Sequence, residues 1–254
     1  MRFFSPLFFR VYQRNLDVFL RLWHSEVPGF VVEPILILLS IGLGLGAYVG
    51  LVGGQTYIEF VTPGIIAGYS MFSAVFECTY ASFIRMEYQK TFDAIIATPV
   101  TVEDVTAGEI FWAATRALLT SVMMLIIAFA FQLIHSPWAL LIPLIAFLEG
   151  LLFASIALFY TSLVPYVYSF NYFFSLFVTP MFYFSGVFFP LSSFPQIIQN
   201  LSWIAPLTPV VNLMRAAMNG NFDISLLLSL GVIIILTCIF FSLTLLTMRR
   251  RLTK

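Results

Sequence analysis

The sequence predicts an all-α polytopic membrane protein, six transmembrane helices preceded by an interfacial helix, and three observations carry that class. Hydrophobic residues make up 61% of the 254 and charged residues 9%, far from the soluble average of about 45 to 50% apolar and about 25% charged; the mean hydropathy is +0.99. Six stretches approach the roughly 20 apolar residues that one helix needs to cross a bilayer core of about 30 Å. The basic residues are unevenly distributed along the chain although the net charge is +0. One membrane domain over residues 1–254 accommodates these features.

The first element is an amphipathic helix over residues 3–24. At about 100° per residue, Arg10, Arg14, Asp17 and Arg21 share a narrow sector, and Phe8, Tyr12, Leu16, Phe19 and Trp23 occupy the opposite face. Such a helix lies along the membrane surface, arginines toward water and aromatics toward the acyl boundary; docking on a soluble partner is the alternative. A signal peptide's short apolar core and cleavage site are not evident here.

The expected spans are residues 29–50, 60–84, 108–134, 138–163, 168–189 and 225–248. Pro34, Pro143 and Pro180 are candidate kinks, which membrane helices tolerate because neighbours satisfy the freed backbone groups. In the first span Gly42, Gly46 and Gly50 recur every four residues, a spacing that lets backbones approach closely in lipid. That stripe suits either a subunit interface or packing within the chain. Cys78 and Cys238 lie in apolar segments and indicate neither a disulfide framework nor a metal site.

An even number of spans puts both termini on one side. Arg2, Arg10, Arg14 and Arg21 precede the first span, Arg85, Lys90 and Arg116 flank the loop after the second, and Arg249, Arg250, Arg251 and Lys254 close the chain. Eleven of the 12 Lys and Arg residues therefore share a side, which the positive-inside rule makes cytoplasmic. Arg215 alone lies opposite. Residues 87–104 become a cytoplasmic loop and residues 190–224 an external segment. The equal counts of 12 basic and 12 acidic residues leave no excess to recruit nucleic acid.

Within the loop, "KTFDAIIATPVTVED" gathers charges around one proline. Tyr88, Phe92, Ile95 and Ile96 recur at helical spacing as an apolar face, with Glu87, Lys90 and Asp93 toward water. Pro99 ends this helix, and Thr101 with Asp104 three positions on forms a capping-box pattern ahead of the third span. Antiparallel helices need only a few connecting residues, so the length suits a docking surface; an interfacial helix without a partner is the alternative. In the external segment, Ile197, Ile198, Leu201 and Trp203 are too apolar for a free loop, and Thr208 and Pro209 open a helix that ends near Asn219 and Gly220.

The interfacial helix, the six spans, "EYQKTFDAIIATPVTVEDVTAGEI" after the second and "SGVFFPLSSFPQIIQNLSWIAPLTPVVNLMRAAMNG" after the fifth together resemble a type-2 ABC exporter permease, nearest the branch of nodulation lipo-oligosaccharide exporters and drug-resistance permeases. The resemblance covers nearly the whole chain. It implies that residues 87–99 form a coupling helix seated in a cleft of a separate soluble ATP-binding subunit, present in two copies, with Tyr88, Phe92, Ile95 and Ile96 as apolar contacts and Lys90 and Asp93 as polar ones. It also implies a second copy of the permease, a path between the copies, and a re-entrant hairpin in the external segment that closes the outer gate. The setting would be the bacterial cytoplasmic membrane with its lipids. ATP and Mg would belong to the partner, since neither Lys90 nor Lys254 follows the glycine-rich turn of a P-loop; no cofactor is expected on this chain.

Acidic residues within spans are costly, about 2.5 to 3.5 kcal/mol at a helix centre, and normally face protein or water. Glu77 and Glu149 are candidate pathway residues, with Glu33 nearer a span end; paired or protonated structural groups are the alternative. Arg215 near the headgroups suits lipid or substrate phosphate, or a plain ion pair. Arg85 and Arg116 suit an anionic headgroup, or topology control and snorkelling. The "YSFNYFFSLFVTPMFYFSGVFF" run suits an amphiphile or lipid-facing packing. Export of a lipid-linked saccharide, glycolipid or hydrophobic small molecule is the leading function. A proton-coupled carrier relaying through Glu77 and Glu149, a lipid enzyme and a non-transporting scaffold are the competitors; with only His24 and His135 and no nucleophile–base cluster, catalysis by this chain is not expected.

Overall fold

The computed structural model describes residues 5–253. Residues 3–4 of the expected surface helix, and Arg2 and Lys254 of the basic count, lie outside the described residues, as do the side chains at 26, 27, 29–31, 43, 200 and 201. The described residues are helical throughout apart from turns and one isolated bridge between Val52 and Gln55.

α1 runs unbroken over Phe8–Leu39, with Pro28 and Pro34 inside it, so the surface helix and the start of the first expected span are one helix. A proline removes one backbone hydrogen bond and kinks a helix without having to end it. The first span then loses regularity in a π turn at Ser40–Gly44 and a 3₁₀ turn at Leu45–Ala47. Gly50 therefore lies beyond the helix, and the three glycines do not form one helical stripe.

α2 spans Tyr57–Phe76 and continues through π turns at Glu77–Ala81 and Ile84–Tyr88. Each π turn carries an i→i−5 bond, such as Gln89 N–H to Ile84 O at 2.9 Å, which rotates the side chains that follow. Lys90 takes a left-handed conformation (φ 52°) and reverses the chain into α3, Thr91–Ile96. α4 is Val102–Ala130, and its start is the expected capping box: Asp104 N–H donates to Thr101 Oγ1 at 3.2 Å, and Thr101 N–H to Asp104 Oδ2 at 3.1 Å.

α5 covers Ile142–Leu163 after a 3₁₀ turn at Pro137–Leu141. Pro143 sits in its first turn, where the missing N–H costs nothing, so it is not a kink. The fifth expected span is segmented: α6 Phe170–Phe173, a π turn at Phe174–Val178, and α7 Thr179–Phe184 with Pro180 in its first turn. The segment expected to be external holds α8, Gln196–Ser202, and α9, Leu207–Asn219, which ends on Gly220 at φ 76°. Thr208 lies inside α9 and its hydroxyl donates to Ser202 O, tying α9 to α8. α10, Ser225–Leu252, closes the chain.

Among the described residues four helices are long and apolar enough to cross a bilayer: Tyr57–Tyr88, Val102–Ala130, Pro137–Leu163 and Ser225–Leu252. The apolar stretch of the first is 83% buried inside the chain and that of the last only 11%, which makes α2 the central helix and leaves much of α10 for lipid or another chain. α4 pairs with α5, α1 lies on α4, α10 on α5, and α9 on α2. In lipid there is little hydrophobic drive between helices, so close packing and interhelical hydrogen bonds carry the association. A Cβ on Gly150 would lie 2.6 Å from Ala114 Cα, and one on Gly108 would lie 2.6 Å from Val11 Cβ. Thr161 donates to Cys78 O and Thr244 to Ser155 O, each at 2.8 Å, joining α5 to α2 and α10 to α5.

Candidate functional site

The loop after α2 is a clamped projection. Phe92 is fully buried, so it anchors α3 to the body from within and is not available as a docking residue. Tyr88 belongs to the preceding π turn, is 68% exposed and stands edge-on to Phe83. The left-handed Lys90 breaks the periodicity that made Tyr88 and Phe92 look like one face. Ile95 and Ile96 are half-buried and pack on the core, whereas Lys90, Asp93, Ala94 and Ala97 to Pro99 are exposed. The presented surface is thus more polar than its sequence periodicity indicates.

Three attachments hold the projection. Arg251 Nη2 reaches Glu87 Oε1 at 2.7 Å, and its Nη1 donates to the carbonyls of Thr161 and Val164 at 2.5 and 2.8 Å. Those carbonyls stand at the end of α5, where no intrahelical donor remains. Arg249 meets Glu103 at 3.4 Å. Asp104, besides its cap, accepts from Ser5 N–H at 2.6 Å and Ser5 Oγ at 3.1 Å. The C-terminal arginines, whose only visible signal in the sequence was topological, therefore bind the loop itself.

Behind the loop lies a buried polar network. Glu77 Oε1 pairs with Arg85 Nη2 at 2.7 Å and Glu77 Oε2 with Arg116 Nη1 at 2.6 Å. Arg85 also pairs with Glu109 Oε2 at 2.5 Å, while Glu109 accepts from Ser82 Oγ at 2.7 Å and Asn15 Nδ2 at 2.8 Å. These bonds join α1, α2 and α4. Over residues 8–24 the buried stripe of α1 is Val11, Asn15 and Phe19, a line along one edge of the expected apolar face that includes Phe19, because α1 docks on α4 as well as facing outward. Glu109 escaped the sequence reading; its signal was Arg116 two turns further along the same helix.

Glu77, Arg85 and Arg116 border a cavity of about 310 Å³ that Arg14, Asn15 and Trp112 also line. Glu149 is elsewhere: fully buried in α5 beside Gly150, with no hydrogen-bond partner on either carboxyl oxygen among the described residues. Glu33 accepts from Tyr69 OH at 3.3 Å. Among the described residues Arg215 makes no ion pair; it donates to Gly186 O at 2.9 Å and sits 4.2 Å over the Phe60 ring. It also lines a cavity of about 440 Å³ with Asn212, Asn219, Asn221 and Asp223. Burial lowers its guanidinium to about 10. Of the glycines, a Cβ on Gly42 would lie 2.5 Å from Ile58 Cγ1 of the same chain, one on Gly46 would be in ordinary contact with Tyr57, and one on Gly50 would meet nothing.

A family model described as "ABC-2 type transporter" matches residues 6–219. The chain is 38% identical over 209 residues to Nodulation protein J of Sinorhizobium fredii (strain NGR234), covering 82% of this chain and 79% of the relative. It is 35% identical over 245 residues to Nodulation protein J of Rhizobium meliloti, covering 95% and 92%. Similarity extends to the Inner membrane transport permease YadH of Escherichia coli K12, at 25% over 241 residues and 91% and 90% coverage.

Proposed function

The chain belongs to the ABC-2 type transporter family, and from that premise we propose that it is the permease half of an ATP-driven exporter whose motor is a separate soluble subunit. Permeases of this family normally pair with an ATP-binding subunit and are not themselves enzymes. The observation that carries the proposal is the clamped projection: an exposed short helix with no interior of its own, fixed at Phe92 to the core, at Glu87 and Glu103 to α10, and at Asp104 to Ser5.

Its use as a coupling helix follows from mechanics. Closure of two ATP-bound subunits pushes on Tyr88, Lys90 and Asp93, with Ile95 and Ile96 at the edge of the contact. The push enters α4 through the rigid Thr101–Asp104 cap and enters α10 and the end of α5 through Arg251. A loop without those clamps would absorb the displacement in its own backbone. Two copies of the chain enclose the path, α8 and α9 close it on the external side as a re-entrant hairpin, and both termini and the projection face the cytoplasm of a bacterial inner membrane.

The cargo we propose is a lipid-linked saccharide, a glycolipid or a hydrophobic small molecule, moved outward. Its support is the likeness to proteins named for nodulation and for inner-membrane transport, together with broad apolar surface on α6, α7 and α10. The test is to extract the tagged chain in mild detergent together with the ATP-binding protein encoded beside it. Joint purification in equal amounts supports the proposal; a chain that always leaves the membrane alone contradicts it.

A further inference from the structure

We propose that the cavity between α1, α2 and α4 is a binding site for a phosphate- or sulfate-type oxyanion carried on a lipid headgroup. This deepens the transport reading and depends on it only for which leaflet supplies the lipid.

The charge count around the cavity is unequal. Arg14, Arg85 and Arg116 contribute three guanidinium groups, and Glu77 and Glu109 two carboxylates. Arg85 is shared between both carboxylates and Arg116 is held by Glu77. Arg14 has no ion pair among the described residues, and its Nη1 is buried without a hydrogen-bond partner. A snorkelling arginine delivers its head to water. Arg14 is half-buried with its Nη1 turned inward, and leaving a charged donor unsatisfied there costs far more than a neutral hydrogen bond returns. An oxyanion supplies the missing acceptor and the missing negative charge together.

Shape and position select the bearer. A volume of about 310 Å³ is near the lower limit of small-molecule sites, about 300 Å³, enough for a headgroup and too little for an acyl chain. Val18, Phe19, Ile84 and Trp112 furnish apolar walls on either side of the charged groups, and Leu20, Leu22 and Trp23 leave an exposed apolar surface further along α1. An amphiphile can therefore place its charge among the arginines while its chains remain in the bilayer.

The test uses the purified full chain, with thermal unfolding followed during titration of dioctanoyl phosphatidylglycerol, the phosphate-free lipid dioctanoylglycerol and inorganic phosphate. Phosphatidylglycerol stabilises the protein saturably and dioctanoylglycerol does not. Arg14→Gln weakens the response about tenfold, the worth of one charge-assisted hydrogen bond, whereas Arg14→Lys retains most of it and Arg10→Gln, on the exposed side of α1, leaves it unchanged. A response to inorganic phosphate at equal concentration assigns the site to the oxyanion alone and overturns the headgroup preference. Equal responses to both lipids, or an Arg14→Gln response matching the parent, overturn the site. Because no partner subunit enters the assay, loss of the ATP-driven reading leaves these outcomes intact.

Discussion

Arg251, near the end of α10, and Glu87, at the end of the long α2 helix, are joined at 2.7 Å across 164 positions of sequence. The same guanidinium closes the open end of α5 through Thr161 O and Val164 O. One side chain thus fixes three helices at the base of the projection that carries α3.

Arg251→Ala should lower the unfolding midpoint of the detergent-solubilised protein, by a loss of about 1 to 3 kcal/mol, because two carbonyls and a carboxylate lose a charged donor. Arg251→Lys should recover only part of that, since a single ammonium lacks the planar fork that reaches all three acceptors. Equal stability of Ala and Lys variants would show that the clamp is ornamental.

Glu77 and Glu149, which look alike in sequence, should respond oppositely to the same change. Glu77→Gln removes the buried carboxylate charge that faces both Arg85 and Arg116 and should cost about 3 to 5 kcal/mol. Glu149→Gln removes no hydrogen bond, because neither oxygen makes one, and should cost under about 1 kcal/mol. Transport should survive Glu149→Gln. Abolished transport in a stable Glu149→Gln protein would favour the proton-coupled carrier.

The two carboxylates mark where sequence reasoning stops. Hydropathy, the capping box at Thr101 and the glycine end of α9 were legible because each depends on neighbours within a few residues. The pairing of Glu77 with Arg116, across 39 positions, depends on how α2 packs against α4, and that of Glu77 with Arg85 on the π turn at Glu77–Ala81 between them. Phe92 was misplaced for the same reason: one left-handed residue at Lys90 separates it from Tyr88. The first and fifth expected spans had the right composition, but π and 3₁₀ turns inside them leave no mark on hydropathy.

Gly150→Ala should destabilise by about 1 to 3 kcal/mol, as overpacking against a backbone atom must push α4 and α5 apart. Gly50→Ala, with open space around it, should be neutral. Gly42→Ala should fall between them, because the obstructing atoms belong to the movable Ile58 side chain. Unfolding midpoints of the three variants give the ranking directly.

Orientation can be read with membrane-impermeant thiol reagents on a Cys78→Ser, Cys238→Ser background. Cysteines at Thr98 and Arg250 should be blocked only after the cytoplasmic side is opened, and one at Asp223 should react in intact cells. Reaction of Thr98→Cys in intact cells would reverse the topology.

The central claim is that the exposed face of α3 carries force from a motor subunit, and proximity cross-linking tests it most directly. In the cysteine-substituted background, Asp93→Cys should form a short-spacer cross-link to the ATP-binding subunit, enhanced or shifted when ATP is added, while Asp223→Cys should form none. Absence of any Asp93→Cys adduct in a complex that otherwise co-purifies, or equal adducts from both positions, would contradict the coupling role.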